Sequence, residues 1–198
     1  MTRPFRQQSE AGILDRAAAL FARGGFAKTS VQQVADSVGL SKTGLLHHFP
    51  SKDVLRDAVL AQAGLLGEQV LEQVQEMPLG SARDLRAVEV MVDVAMAHPG
   101  LVALLLAPLM ESDAAGAPEV EGAAASALRA FGVDPAAPVS ERTVRVAGAL
   151  SALAVLALAA NHENQTTAWR PFVVATCFDA LGHRRAGAAL PVSDQKEA

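Results

Sequence analysis

Residues 29 to 53 constrain this chain more than any other stretch, because they pattern as two short helices joined by a tight turn. Thr29 or Ser30 is placed to cap a helix whose apolar positions Val31, Val34, Ala35 and Val38 recur at helical spacing and form one inward face. Gly39 then supplies the permissive backbone that a sharp reversal needs. Four residues earlier, Ala35 is small enough to let a second helix cross closely. Ser41 can accept hydrogen bonds from the free amides that open that helix. Helix, glycine turn and capped helix, in that order, make a helix-turn-helix unit.

The second helix indicates what such a unit would meet. At about 100° per residue, Leu45 and Phe49 share one face and Thr43, Gly44 and His47 point the opposite way. Leu45 and Phe49 would anchor the helix to a core. The outward set, with Ser41, Lys42 and His48 at its flanks, offers donors, a cation and almost no bulk. Small residues allow close approach, and hydroxyl, ammonium and imidazole groups suit base edges and phosphates, so these residues fit the major groove of DNA. Thr29, Ser30, His48 and Lys52 are the candidates for phosphate contact, Lys52 because it lies near a helix start and its free amides.

Charge points the same way. Residues 1–52 hold seven Lys and Arg against three Asp and Glu, a net of +4, whereas the remainder holds ten against eighteen, a net of −8. The whole-chain value of −4 therefore conceals a basic end and an acidic body. Positive charge localised where a duplex would dock favours phosphate neutralisation, and an acidic remainder disfavours unspecific adhesion. Arg3 and Arg6, beside Pro4, read either as an arm reaching a minor groove or backbone, or as solvated charges on a terminus.

A family resemblance joins these residues. Ile13-Leu14, Ala17-Ala18, Leu20-Phe21, Gly25-Phe26, Thr29, Val34-Ala35, Val38-Gly39-Leu40-Ser41, Leu45, His48-Phe49, Ser51-Lys52 and Leu55 fall in the fixed order of the amino-terminal domain of the TetR family of transcriptional regulators, which this chain resembles over roughly residues 10–60. The resemblance implies an all-α protein of about nine helices. Residues 1–50 would form a three-helix DNA-binding domain, 51–185 a helical effector-binding and dimerisation domain, and 186–198 a poorly ordered tail. It also implies a homodimer that binds a near-palindromic operator, most simply as a repressor, and releases it when a small organic effector binds. The family usually has a phosphate-touching Tyr at the position of Leu46. Here that residue is apolar, and His47 and His48 are the neighbours available to replace it.

Helix breakers divide the rest of the chain. A first helix is expected from Ser9 or Glu10 to Arg23, before Gly24-Gly25; a long fourth helix, capped by Ser51, from Pro50-Ser51 to about Glu76. The fourth would turn Val54, Leu55, Ala58, Val59, Gln62, Leu65 and Leu66 toward the core. Ser81 is placed to cap a fifth helix to about Ala97, Pro99 opens a sixth to about Met110, and Glu111 to Pro118 reads as a loop. A seventh is expected over 119–131, an eighth over 140–161 and a ninth over 167–181. Trp169, Phe172, Val173, Thr176, Cys177 and Ala180 on the ninth, and Ala147, Leu150, Ala154, Leu158 and Asn161 on the eighth, recur at helical steps. The eighth carries a second apolar face besides, so these two helices are expected to pair with their copies in a four-helix bundle.

The apolar run Val146 to Ala160 is shorter than the about twenty residues a membrane span needs, and reads as a helix buried on most sides. A single Cys and the absence of an amino-terminal apolar run suit a reducing cytoplasm. Met91, Val94, His98, Leu105 and Leu109 are candidate walls of an apolar effector pocket, with Asp93, Asn161, His162 and Glu163 as possible polar contacts. His98, His162, Glu163 and Cys177 include metal-ligand types but have no ligand spacing, so no metal is expected, and no cofactor. Without a phosphate loop, nucleophile elbow or paired carboxylates in a recognisable context, catalysis is not expected. The competing reading is a small-molecule binding or scavenging protein that keeps a non-functional helix-turn-helix.

Overall fold

In the computed structural model, described over residues 3–110 and 118–183, the chain is all-helical, with nine α-helices and no strand among the described residues. They are α1 (Arg3–Gly24), α2 (Val31–Ser37), α3 (Lys42–His48), α4 (Lys52–Glu72), α5 (Ser81–Ala97), α6 (Pro99–Met110), α7 (Pro118–Ala130), α8 (Glu141–His162) and α9 (Thr166–Ala180). The tail expected at 186–198 lies outside the described residues, as does the loop expected at 111–118 except for Pro118, which opens α7 instead.

Three expectations about the helices need correction. α1 begins at Arg3, well before Ser9, because Pro4 sits in the first turn, where its missing N–H breaks no intrahelical bond. Arg3 and Arg6 therefore ride on helical backbone and do not form an extended arm. α4 ends at Glu72: the amides of Val74 and Gln75 both donate to the Leu71 carbonyl, at 3.0 and 2.9 Å, and turn the chain out of the helix before Glu76. Ser81 is the first residue of α5 rather than its cap. Gly80 holds the cap position, at φ 152°, with no side-chain bond to the helix.

Two apolar cores lie along α4. The first gathers Ile13, Leu14, Ala17, Ala18 and Phe21 of α1 with Val34 and Ala35 of α2, Leu45 of α3, and Phe49. It continues past residue 50 through Leu55, Val59 and Ala63 of α4 and takes in Leu101 of α6. The second joins Val70 and Val74 to the inner faces of α5, α8 and α9 and to Phe131. α4 thus belongs to the first core by its beginning and the second by its end, and packs against both α1 and α7. Of the α4 residues expected inside, Val54 and Leu65 are instead 45% and 52% exposed, since about 100° per residue swings them off the buried stripe of Leu55, Val59 and Ala63.

A polar knot closes the far end of the second core. The buried Arg83 guanidinium donates to the carbonyls of Arg129 and Ala130, the last residues of α7, and to that of Met77. Its neighbour Asp84, also buried, accepts from Arg142 of α8 at 2.6 Å and lies 2.6 Å from Nε2 of His183. Such burial is tolerable because every charge is paired or hydrogen-bonded.

Candidate nucleic-acid interface

The turn between α2 and α3 is built from local bonds. Ser30 caps α2: its Oγ accepts from the Gln33 amide at 3.2 Å, and its own amide donates to the Gln33 side chain at 2.7 Å. This is a capping box. At the other end Gly39, at φ 71°, lets the Leu40 amide donate back to the Ala35 carbonyl at 2.9 Å, a Schellman closure. Ser41 caps α3 by accepting from Gly44 N–H at 3.0 Å. Each helix has only seven residues, too few to stand alone in water, so these closures and the anchors Leu45 and Phe49 hold them.

Ser41, Lys42, Thr43 and His47 are exposed on the side of α3 away from Leu45, and Gly44 lies half-buried among them. A Cβ at Gly44 would sit 3.2 Å from the capping Ser41 Oγ, which ties the absence of a side chain here to the cap as much as to a flat face. Ser30 is exposed beside α3, at the start of α2. Leu46 is half-buried.

Two residues expected to touch phosphate are engaged inside the protein. Thr29 is 5% exposed, and its hydroxyl donates to the carbonyls of Gly25, at 2.9 Å, and Leu20, so it locks the chain leaving α1. Lys52 turns back over the α1–α2 connection. Its Nζ donates to the carbonyls of Phe26 (3.0 Å), Thr29 (3.2 Å) and Ala27 (3.3 Å) and lies 4.3 Å from the Phe26 ring centre. Three bonds use all three ammonium donors, so this cation fastens the head together instead of reaching outward. His48, half-buried, leans on α1, with Nδ1 3.5 Å from a Glu10 carboxylate oxygen. Lys52 and His48 find their partners 23 to 38 residues away, beyond any local pattern, whereas Thr29 bonds Gly25 four residues back and Leu20 nine back.

The head also grips α6. The Asp15 carboxylate of α1 accepts from the Leu101 amide at 3.0 Å, near the opening of α6. Burial raises the Asp15 pKa, opposed by the Leu101 and Gly100 amides and by the nearby His98. A Cβ on Gly100 would come 1.8 Å from the Asp15 carbonyl oxygen, so the two backbones touch with no room for a side chain.

Behind this seam is a cavity of about 240 Å³. Of the candidate pocket residues, Met91, Val94, His98 and Leu105 line it, whereas the side chain of Leu109 lies outside the described residues. The walls that sequence reasoning missed come from α4, α7 and α8, among them Gly67, Ala127 and Ala154, whose small size leaves the space open. Two expected polar contacts are spent elsewhere. Asp93 pairs with Arg170 of α9 through bonds of 2.6 and 2.9 Å, which holds its carboxyl below the usual range, and Asn161 donates to the carbonyls of Met96 and Ala157. Among the described residues no three His, Cys, Asp or Glu side chains are placed to hold a metal ion.

On the outer side, α8 is buried along one stripe, Val146, Ala149, Leu153, Ala157 and Ala160, and not on most sides as expected. Its other face shows Val144 and Val155, 62% and 58% exposed, and α9 beside it shows Phe172, 71% exposed. At 22 residues α8 is, by length and composition, apolar enough to cross a membrane, yet it packs on α5, α6, α7 and α9.

The described residues thus form a helix-turn-helix head on a helical body that holds an apolar cavity partly open to solvent. Residues 13–59 match the family of bacterial regulatory proteins designated tetR, so the head is similar to that family's amino-terminal domain. The regulator RutR of Escherichia coli K12 is 48% identical over 50 residues, 25% of this chain and 24% of that protein. The repressor KstR2 of Rhodococcus jostii is 44% identical over 48 residues, 24% of each. The chain thus matches about a quarter of the length of these curated relatives. A TetR-like regulator from Rhodococcus sp. RHA1 superimposes with a TM-score of 0.52 at 19% identity, over 93% of this chain and all of that one. A second structure, described as a putative tetR-family regulator from Shewanella sp. PV-4, gives 0.51 at 20% identity over 87% and 97%. These two likenesses cover the body as well as the head and show the shared fold.

Proposed function

We propose that this protein is a DNA-binding transcriptional regulator, acting as a repressor, that holds a near-palindromic operator as a homodimer and leaves it when a small organic molecule occupies the cavity. The observation that carries this reading is the exposed polar face of α3, anchored from behind by Leu45 and Phe49 in a head similar to that of the TetR family. Ser41, Lys42, Thr43, Gly44 and His47 would approach the major groove, and Ser30 and His48 would flank a phosphate. Thr29 and Lys52 contribute by fixing the α1–α2 connection. The apolar faces of α8 and α9, with Val144, Val155 and Phe172 exposed, would pair across a twofold axis as a four-helix bundle. Two heads about one helical turn or more apart would then read an inverted repeat.

Selection of duplexes from a random DNA pool at near-physiological salt tests binding, specificity and symmetry together. An enriched inverted repeat is expected. Lys42→Ala and His47→Ala should each weaken the interaction. If no duplex is enriched and neither substitution matters, the protein is a small-molecule binder with an idle helix-turn-helix.

A further inference from the structure

The chemistry of the cavity and its shared wall with the head allow a more specific statement, which rests on the regulator reading above. About 240 Å³ is below the common range for drug-sized ligands. A closed, dry cavity of about 150 Å³ takes benzene, six carbons, so by proportion this one, which opens to solvent beside Ala124 and Ser151, holds about ten non-hydrogen atoms within its walls. Among the described residues that line it there is no Lys, Arg, Asp or Glu; His98 and Ser151 are the polar ones, and Ser151 is exposed. A carboxylate or ammonium entering here would lose its water without gaining an opposite charge.

The position of His98 adds direction. It terminates α5, and Pro99, Gly100 and Leu101 follow at once as the opening of α6. Leu101 lines the cavity, lies in the same apolar core as Leu45 of α3, and donates its amide to Asp15 of α1. With the Gly100 and Asp15 backbones in direct contact, the α5–α6 corner has no slack in which a displacement could be absorbed.

We propose that the cavity binds an uncharged, mainly hydrocarbon molecule of about ten non-hydrogen atoms with one hydrogen-bonding group held at His98, and that Leu101, which with Ala63 is a buried wall common to cavity and head and which alone of the two also bonds Asp15 of α1, passes its occupancy to α1 and α3. The ligand would do so by favouring one arrangement of the α5–α6 corner over another.

The test uses the full-length protein with 1-octanol and octanoate as probes. Titration calorimetry measures binding, and anisotropy with an enriched duplex measures DNA affinity. The neutral probe should bind saturably and octanoate about a hundredfold more weakly. Ala154→Phe, and separately Ala127→Leu, fill the space from α8 and α7 and should abolish octanol binding while leaving DNA affinity intact. His98→Leu should weaken octanol about fivefold, the loss of one hydrogen bond. Leu101→Val should keep octanol binding but reduce the change that octanol makes in DNA affinity. Equal binding of octanoate overturns the ligand class. Undiminished octanol binding by both filled variants overturns the site, and octanol binding that leaves DNA affinity unchanged overturns the role of Leu101. Failure to enrich any duplex removes the regulator reading and the coupling with it, while the octanol titration still decides the cavity chemistry.

Discussion

The head and the body of this molecule are specified in different ways. In the head, two seven-residue helices are closed at each end by bonds reaching no more than five residues, so the order of residue types is nearly the structure. Curated relatives keep 48% and 44% identity there. In the body, long helices need only an apolar stripe of roughly the right size, and structures with TM-scores of 0.52 and 0.51 share the whole-chain fold at 19% and 20% identity. A head that presents a fixed polar face tolerates little change. A body of long helices keeps its architecture while its side chains vary, because burial needs only apolar residues of roughly the right volume.

This contrast can be broken most severely at Leu45. Leu45→Ala should destabilise the head by about 3 kcal/mol, because a fully buried anchor leaves a void behind two helices that cannot stand alone. Hydrogen exchange should show the amides of α2 and α3 opening while those of α8 and α9 stay protected; equal loss in both regions would mean that the two cores are one cooperative unit. Gly100→Ala tests the seam between them. With a Cβ only 1.8 Å from the Asp15 carbonyl oxygen, it should cost about 2 kcal/mol in urea unfolding, whereas an unchanged midpoint would show that the seam yields easily.

Lys42→Ala addresses the head's surface without its core. Affinity for the enriched duplex should fall about tenfold and discrimination at one base position should relax, with thermal stability nearly unchanged. A loss uniform across all sequences, with a salt dependence reduced by about one ion, would instead assign Lys42 to phosphate. The smallest effect is expected in the body, at the exposed Asp93–Arg170 pair between α5 and α9. Bonding to Arg170 lowers the Asp93 pKa, so the pair's contribution is present above the ordinary carboxylate value of 3.8 and is lost as pH falls through the depressed one. Solvent screening limits it to under about 0.5 kcal/mol, visible as a slightly flatter acid-stability profile in Asp93→Asn.

What was legible in the sequence follows the same division. Ser30, Gly39, Ser41, Leu45 and Phe49 could be placed because each signal lies within a few residues of its effect. Thr29 and Lys52 could not: both are polar residues beside a predicted DNA face, and only the folded chain brings the carbonyls of Leu20, Gly25 and Phe26 to them. Val54 and Leu65 looked like core because apolar spacing cannot say which of two adjacent stripes on a long helix finds a partner. For the cavity, helical spacing singled out residues of α5 and α6, whereas the lining from α4, α7 and α8 carried no signal. Small residues such as Gly67 and Ala154 give no signal until helices far apart in the chain converge around them.

By itself, the sequence determined that the chain is helical, where nearly every helix lies, and that a capped second helix turns its polar face outward. Caps, glycine turns and periodicity act over one or two turns of backbone, and that range is contained in the order of the residues. Tertiary structure alone decided that Asp15 holds the start of α6, that Lys52 faces inward, and that Leu101 belongs to the cavity and the head at once. Those facts depend on distances between residues as many as 86 positions apart, which only the packing of α1, α4 and α6 sets.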